Sequence, residues 1–284
     1  MHKFNAEVII YNKVGCFFKP DRLITEFFRS EVINMYNSTN PSLKKLQNYC
    51  SGEELVDETK TASYLGIALK SLFFIGIAIA AAVLSFVLLY KNPQLASIML
   101  TVSVIGTLIF GLVAAFVPSS CAVTGALYVF FEGFLVGSVS TLFDAIYSGI
   151  VFAALFSTFI TFAVMLVLFA TGIIRVGSRF RNFMISALLA ICLTQLLMFV
   201  VSMFSTTAYN LFYGNGVIAM LISVVMVVFA AFFILVDLSE ITMLVDGKMD
   251  KKLEWNAAYG LSLTLIWLYL QFLRLFAIIF SRKR

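Results

Sequence analysis

Charged residues are scarce in this sequence, and histidine is almost absent. Lys, Arg, Asp and Glu together make up 12% of the 284 residues, whereas soluble domains carry about 25%. The single histidine, His2, lies at the N-terminus, which excludes histidine-based catalysis and most zinc chemistry. The low charge excludes an ordinary soluble domain.

Motifs of membrane-embedded enzymes are missing as well. The sequence has no HExxH motif for a zinc protease and no internal histidine for a serine protease. Membrane aspartyl proteases need two aspartates in YD and GxGD contexts, and neither "LVDL" at Asp237 nor "LVDG" at Asp246 matches. We therefore predict that the protein is not an enzyme.

The four cysteines show no pair with close metal-ligand spacing: they are Cys16, Cys50, Cys121 and Cys192. The last two lie near or inside apolar runs, so we expect reduced cysteines packed among apolar side chains. Neither a metal site nor a cofactor is predicted.

Long apolar runs dominate the remainder of the chain. Hydrophobic residues make up 61% of the sequence, and runs of roughly 20 apolar residues, the length of a membrane-spanning helix, recur after residue 62. The runs lack the alternation of outer-membrane strands. We predict an all-α, polytopic membrane protein, with a polar segment over residues 1–61 and a membrane domain over residues 62–284. Seven spans are predicted, at about residues 62–90, 94–117, 121–144, 148–171, 181–205, 215–245 and 256–281.

Basic residues are distributed unequally between the two sides of these spans. The segment 1–61 holds eight Lys or Arg, and the loops after the fourth and sixth spans hold three each, whereas the opposite loops hold only Lys91. The positive-inside rule makes the N-terminus and the basic loops cytoplasmic. The tail "SRKR" is the one feature that disagrees, because seven spans place it outside. The basic excess is thus a topology signal, and nucleic-acid binding is not predicted.

Ionisable residues inside the predicted spans are few: Lys70, Glu132, Asp144, Asp237, Glu240 and Arg274. Lys70 and Asp144 lie near span ends, where a side chain is expected to reach the interface. Arg274 lies about two turns before the end of the seventh span, where it can reach the interface or form an ion pair.

Glu132 and Asp237 lie deeper in their spans. A charge at the bilayer centre costs about 2.5 kcal/mol or more, so such residues face the protein interior and mark a pathway or a proton site. We predict a functional role for Asp237, while a functional and a structural role stay open for Glu132. Glu240, three residues after Asp237, is predicted to share its helix face.

Small residues predict close contacts between helices. Gly133 and Gly137 form a small-xxx-small face on the third span, and Gly106 lies near Ser103 on the second. Such faces let two helix backbones approach each other.

Several stretches resemble a known family in their order and spacing. They are "NPSLKKL", "ALYVFFEGFLVGSVSTLF", "FSTFITFAVMLVLFATGIIRV", "FILVDLSEI" and "EWNAAYGLSLTLIWLYLQFLRLF". Together they resemble the Bax inhibitor-1 family, also called the transmembrane Bax-inhibitor-motif family, in its bacterial branch with a long N-terminal segment. The resemblance covers about residues 39–284.

The resemblance implies a fold, an activity and a location. The fold is seven transmembrane helices, six of them surrounding a central seventh. The activity is a pH-sensitive cation leak, best known for calcium, in the bacterial inner membrane. In the family, an aspartate on helix six and an acidic residue on helix seven hydrogen-bond and hold the pore shut.

The helix-six aspartate of the family falls on Asp237, but the helix-seven acid falls on Gln271. Two carboxylates in contact share a proton and titrate as a coupled pair, whereas an aspartate and a glutamine can hydrogen-bond in either protonation state of the acid. We therefore expect weaker pH gating than in relatives, or gating that depends on Glu240 or Glu132.

A second functional class stays open beside the leak channel. The protein is alternatively a non-transporting regulator that binds other membrane proteins, such as a membrane-anchored protease, with residues 1–61 as the docking arm. Ion flux through the purified protein in vesicles separates the two classes. In both, the surrounding partner is the lipid bilayer.

The orientation is directly testable. We predict that the N-terminus and the loops around Arg179 and Lys251 face the cytoplasm, because basic residues are retained on that side. Single cysteines introduced in these loops should resist an impermeant thiol reagent in intact cells and react after lysis. Labelling of the loop at Arg179 in intact cells would reverse the orientation.

Overall fold

Seven long helices make up most of the described chain. The structure is a computed structural model that describes residues 61–174, 176–204, 214 and 216–282, without the side chains of residues 115, 118, 199 and 202. The helices are α1 (Tyr64–Lys91), α2 (Pro93–Phe116), α3 (Cys121–Ile146), α4 (Ile150–Ala170), α5 (Ser178–Phe204), α6 (Val217–Asp246) and α7 (Leu253–Arg282). All seven are long and apolar enough to cross a membrane. The all-α membrane architecture and the seven predicted spans are therefore confirmed, while the predicted segment 1–61 lies outside the described residues except for Thr61.

Short breaks between the helices occur at residues that stop or restart helical hydrogen bonding. Pro93 is the first residue of α2 and directly follows Asn92, the C-cap of α1. Proline is tolerated at a helix start because the N–H that it lacks has no partner there. Between α3 and α4, Gly149 has a φ of 84°, a left-handed conformation that a glycine adopts without a Cβ clash. Such short connections make consecutive helices antiparallel.

The predicted glycine face on α3 packs against α1. A Cβ at Gly133 would lie 2.6 Å from the carbonyl oxygen of Ala78, and one at Gly137 would lie 2.5 Å from the Cα of Ala82. No larger residue fits at either position without moving α1, so the predicted close packing at these glycines is confirmed. Beside this glycine contact, Ser85 of α1 and Ser138 of α3 are buried, and their hydroxyl oxygens lie 2.6 Å apart.

The second predicted small-residue face joins α2 to α3. A Cβ at Gly106 would lie 2.6 Å from the Phe131 ring, and that ring stacks on Phe110 with 5.7 Å between the centroids. Ser103 is fully buried nearby. Aromatic side chains of α3 thus fill the space that the small residues of α2 leave open.

The last helix, α7, packs against four other helices, as α1 and α3 also do. It packs against α1, α3, α4 and α6, whereas α2 packs on α3 and α1, and α5 packs on α6. The expected ring of six helices around a central seventh is therefore not confirmed. Only four of the six have substantial contacts with α7 among the described residues.

Glu254, in the first turn of α7, is fully buried and binds the start of α1. Its Oε1 accepts hydrogen bonds from the backbone N–H of Ser63 (2.8 Å) and from the Ser63 hydroxyl (3.3 Å). Its Oε2 lies 2.5 Å from the Nζ of Lys70. The Lys70 ammonium also lies 4.9 Å from the centre of the Trp255 ring, which adds a cation–π attraction. We call the Glu254–Lys70–Ser63 contacts the α1–α7 clamp.

Two neighbouring features support the α1–α7 clamp. A Cβ at Gly66 would lie 2.5 Å from the Glu254 Oε2, so glycine leaves the space that the carboxylate occupies. The loop before α7 holds the same end of α1, because Ala62 N donates to Met249 O (2.9 Å) and the Tyr64 hydroxyl donates to an Asp246 carboxylate oxygen (3.1 Å). The starts of α1 and α7 are therefore tied together at one end of the bundle.

The position of Lys70 differs from the sequence-based expectation. Its side chain is 17% exposed and forms an ion pair, instead of reaching the interface alone. This pair was not predicted because Glu254 lies two residues before the predicted start of the seventh span, in the polar loop that precedes it. A helix that begins three residues earlier places it inside the bundle.

Breaking the α1–α7 clamp should destabilise the protein. Glu254→Gln leaves the Lys70 ammonium without its counter-ion, and removal of one partner of a buried ion pair costs about 3–5 kcal/mol. We expect a loss near the lower limit, about 3 kcal/mol, because Lys70 keeps some solvent access. Thermal unfolding in detergent measures the change.

The matched control is Asp144→Asn, since Asp144 is exposed and accepts a hydrogen bond from Gly149 N (3.0 Å) that an amide oxygen also accepts. It should leave the unfolding temperature nearly unchanged. Equal unfolding temperatures for Glu254→Gln and the parent would show that the clamp does not hold the bundle.

Candidate functional site

Asp237 lies on α6 in the most deeply buried part of that helix. It is 9% exposed, and its neighbours Ile234, Leu235, Val236 and Leu238 are buried as well. It precedes the last residue of α6 by nine positions, which is about 14 Å at 1.5 Å per residue. A carboxylate is thus held inside the bundle at a depth that the hydrocarbon region of a membrane covers.

The described polar neighbour of Asp237 on α7 is Thr264. The Thr264 hydroxyl lies close to the Asp237 carboxylate, and it donates a hydrogen bond to the carbonyl oxygen of Gly260 at 3.3 Å. A hydroxyl has one proton, so it donates either to Asp237 or to Gly260, and in the second case it can accept a proton from a neutral Asp237. The α6–α7 contact therefore suits both protonation states of the acid.

One oxygen of the Asp237 carboxylate has no partner. Oδ2 is buried and lacks a hydrogen bond to any residue that the structure describes. Burying a charged oxygen without a partner is costly, and the cost is removed by a proton or by a cation. This unpartnered oxygen gives the site a capacity to bind one or the other.

Gln271 does not pair with Asp237. It lies seven residues after Thr264 on α7, which places it on the same helix face but about 10 Å further along the axis. Its Oε1 is buried and has no hydrogen-bond partner within the described ranges. The structure thus places Thr264, and not Gln271, beside Asp237, and the role expected for Gln271 from the family resemblance stays a prediction.

Glu240 and Asp237 do not share one environment. Asp237 is buried, whereas Glu240 is exposed. Three residues turn a helix by about 300°, and the remaining 60° carries Glu240 out of the α6–α7 contact. The two acids, which were expected to share a helix face, therefore differ in burial.

Glu132 lies near the middle of α3. It approaches α7 at a different face from the one that carries Thr264. It is partly buried and lines a cavity of about 140 Å³ between α3 and α7. The other lining residues are Tyr128, Leu263, Ile266, Trp267 and Leu270. Arg274 follows one turn beyond Leu270 and is partly buried. Glu132 and Asp237 therefore approach α7 from different sides. On α7 itself, Gln271 and Arg274 lie closer to the C-terminal end.

The acidic residues do not form a metal-binding cluster. No group of three or more His, Cys, Asp or Glu with suitable geometry occurs in the described part of the chain. A calcium ion takes about 6–8 oxygen ligands, and the Asp237–Thr264 contact offers far fewer. A cation at Asp237 would therefore be held weakly.

Sequence reasoning missed Thr264 for an identifiable reason. A threonine in an apolar helix returns its hydroxyl to a backbone carbonyl one turn earlier, and most described threonines here do so, as Thr158 does with Ala154 O at 2.8 Å. Only the position of α6 relative to α7 distinguishes Thr264 from them. The available signal was a deep acid on the sixth span together with a few polar residues on the seventh, of which Thr264 is one.

The comparisons with known proteins agree with this architecture. A family model described as Bax inhibitor 1 like matches residues 29–281, a range that includes α1 to α6 and almost all of α7. None of the curated proteins matches the chain. The resemblance drawn from the quoted stretches is confirmed by the family model.

The depth of the Asp237 partner is testable by two matched substitutions. Thr264→Val keeps the side-chain shape and removes the hydroxyl, which leaves Asp237 without its described partner and should cost about 1–3 kcal/mol. Gln271→Met removes a buried amide oxygen that has no hydrogen bond, so it should be neutral or stabilising. Thermal unfolding in detergent compares both with the parent. The reverse order of costs would restore Gln271 as the partner of Asp237.

Proposed function

The chain belongs to the Bax inhibitor 1 like family, and on that premise we propose that it is a cation leak channel whose ion pathway passes Asp237. The family membership and the seven apolar helices make it a multi-pass membrane protein. A channel-like role fits both. The ion, its pH dependence and the part of Asp237 belong to the proposal.

The observation that carries the proposal is the buried, unpartnered Oδ2 of Asp237. A carboxylate that only bridges α6 and α7 would be stabilised by satisfying both oxygens, since an unsatisfied buried group costs about 1–3 kcal/mol. One oxygen is instead left available beside a hydroxyl. Such an arrangement suits an ion or a proton that arrives and leaves.

The small number of ligands at Asp237 supports a leak channel rather than a high-affinity calcium-binding site. Conduction requires a site that attracts an ion and still releases it. One carboxylate and one hydroxyl offer a cation few ligands, whereas high-affinity calcium sites surround the ion with about 6–8 oxygens. Calcium, the ion expected from the family, and protons would compete for the same carboxylate oxygen. We propose that this competition gives the flux its pH dependence.

The remaining parts of the proposal concern location and class. We place the protein in a bacterial inner membrane with the N-terminus in the cytoplasm, on the strength of the family resemblance and the basic loops. We also propose that it performs no enzymatic reaction. In this proposal the protein acts only on the ion that it conducts.

The regulator that binds other membrane proteins is the second candidate, and α5 is the observation that favours it. Only 6% of the most apolar stretch of α5 is buried. Among the described helices, α5 packs mainly on α6. An apolar helix that contributes little to its own bundle offers a face to another transmembrane helix as well as to lipid. A folded protein without measurable flux would favour this candidate.

The flux test uses Asp237→Asn in the full-length protein reconstituted into proteoliposomes. An amide of equal size keeps the packing and removes the charge. We expect calcium and proton flux between about pH 5 and 8 to fall at least about tenfold, which corresponds to a loss of about 1.4 kcal/mol of ion attraction. The exposed Asp144→Asn is the matched control and should conduct like the parent.

Thermal unfolding of both variants separates lost flux from lost folding. Normal flux through a folded Asp237→Asn protein at every pH would contradict the proposal. Absence of flux from the folded parent would contradict it too, and would leave the regulator.

A further inference from the structure

We infer that the cavity between α3 and α7 is a binding site for a small organic ammonium ion, with Glu132 as its counter-charge and Trp267 and Tyr128 as its aromatic walls. The site is separate from Asp237 and does not depend on the proposed ion flux. Neither the family model nor the resemblance assigns a ligand to it. We call it the ammonium cavity.

The size of the ammonium cavity suits a ligand of a few heavy atoms. It is partly open and has a volume of about 140 Å³, and a cavity of about 150 Å³ in another protein accommodates a benzene molecule. A quaternary ammonium with four methyl groups is a compact ligand of similar size.

The charge of the ammonium cavity comes from Glu132, which is partly buried near the middle of α3. An ionised carboxylate at this depth is costly without a cation. Lys70 does not line the cavity and is engaged with Glu254. Because Lys70 is paired with Glu254, a cationic ligand would supply the charge that neutralises Glu132.

The walls of the ammonium cavity select an organic cation over a metal ion. Leu263, Ile266 and Leu270 supply apolar surface, and no metal-binding group of three or more acidic, His or Cys residues occurs in the described ranges. A calcium ion would need oxygen ligands that these walls lack. Methyl groups on a nitrogen cation pack against apolar walls and need no hydrogen bonds.

Two aromatic side chains complete the recognition. Tryptophan is the best cation–π partner and tyrosine follows, and both Trp267 and Tyr128 line the cavity. Each is held by other rings: Trp267 meets Phe229 at 6.0 Å and an angle of 74°, and Tyr128 meets Tyr259 at 5.5 Å and 85°. Fixed aromatic rings beside a carboxylate are the arrangement by which proteins recognise quaternary ammonium groups.

Equilibrium binding of radiolabelled tetramethylammonium to the purified full-length protein in nanodiscs tests the inference. We expect saturable binding that sodium at the same concentration does not displace. Glu132→Gln should weaken binding at least about tenfold, since it removes the counter-charge and keeps the side-chain size. Trp267→Leu should weaken it as well, through loss of the cation–π contact.

The matched control is Asp237→Asn, which should bind tetramethylammonium like the parent because Asp237 does not line the cavity. This control also separates the two proposals, since it is expected to lower the flux at least about tenfold and to spare binding. The inference is overturned if the folded parent shows no saturable binding. Unchanged binding by a Glu132→Gln protein with normal thermal unfolding would overturn it equally.

Discussion

The buried contact between Glu254 and Lys70 fixes where α7 lies, and the functional positions of the molecule depend on α7. The carboxylate at the start of α7 binds the backbone N–H and the hydroxyl of Ser63, the N-cap of α1, together with the Lys70 ammonium. Helices in lipid gain little from apolar contact with each other, so specific polar and close-packed contacts decide their arrangement. With one end of α7 tied to α1, the depth of every later α7 residue is set, including that of Thr264 and of the residues that line the ammonium cavity.

Two acids then face α7 from different sides, in different surroundings. Asp237 reaches α7 from α6 and meets a single hydroxyl in a dense apolar region, with one oxygen left unpartnered. Glu132 reaches it from α3 and lines a cavity with aromatic walls. The first arrangement suits a small ion or a proton that passes, because it offers charge with few ligands. The second suits a larger, weakly hydrated cation that stays, because it offers volume and π surface.

Much of the fold is predictable from the sequence, because apolar runs of membrane length permit one kind of structure. Backbone groups in lipid must be satisfied within the helix, so the run lengths alone predict seven helices, and Gly133 and Gly137 predict a close helix contact. Pairings across helices are different. Gln271 and Thr264 lie on one face of α7, and periodicity cannot tell their depths apart, because a displacement by two turns preserves the face. Glu254 was missed for a related reason, since a boundary shift of three residues moves it from a loop into the bundle.

Infrared difference spectroscopy of the reconstituted protein tests most directly whether the Asp237 carboxylate binds the ion. Spectra recorded with and without calcium report on carboxylate groups whose surroundings change. We expect calcium to shift a carboxylate stretching band in the parent and in Asp144→Asn, and we expect that shift to disappear in Asp237→Asn. The same calcium-induced band in the parent and in a folded Asp237→Asn protein would contradict the assignment of Asp237 as the ion-binding group.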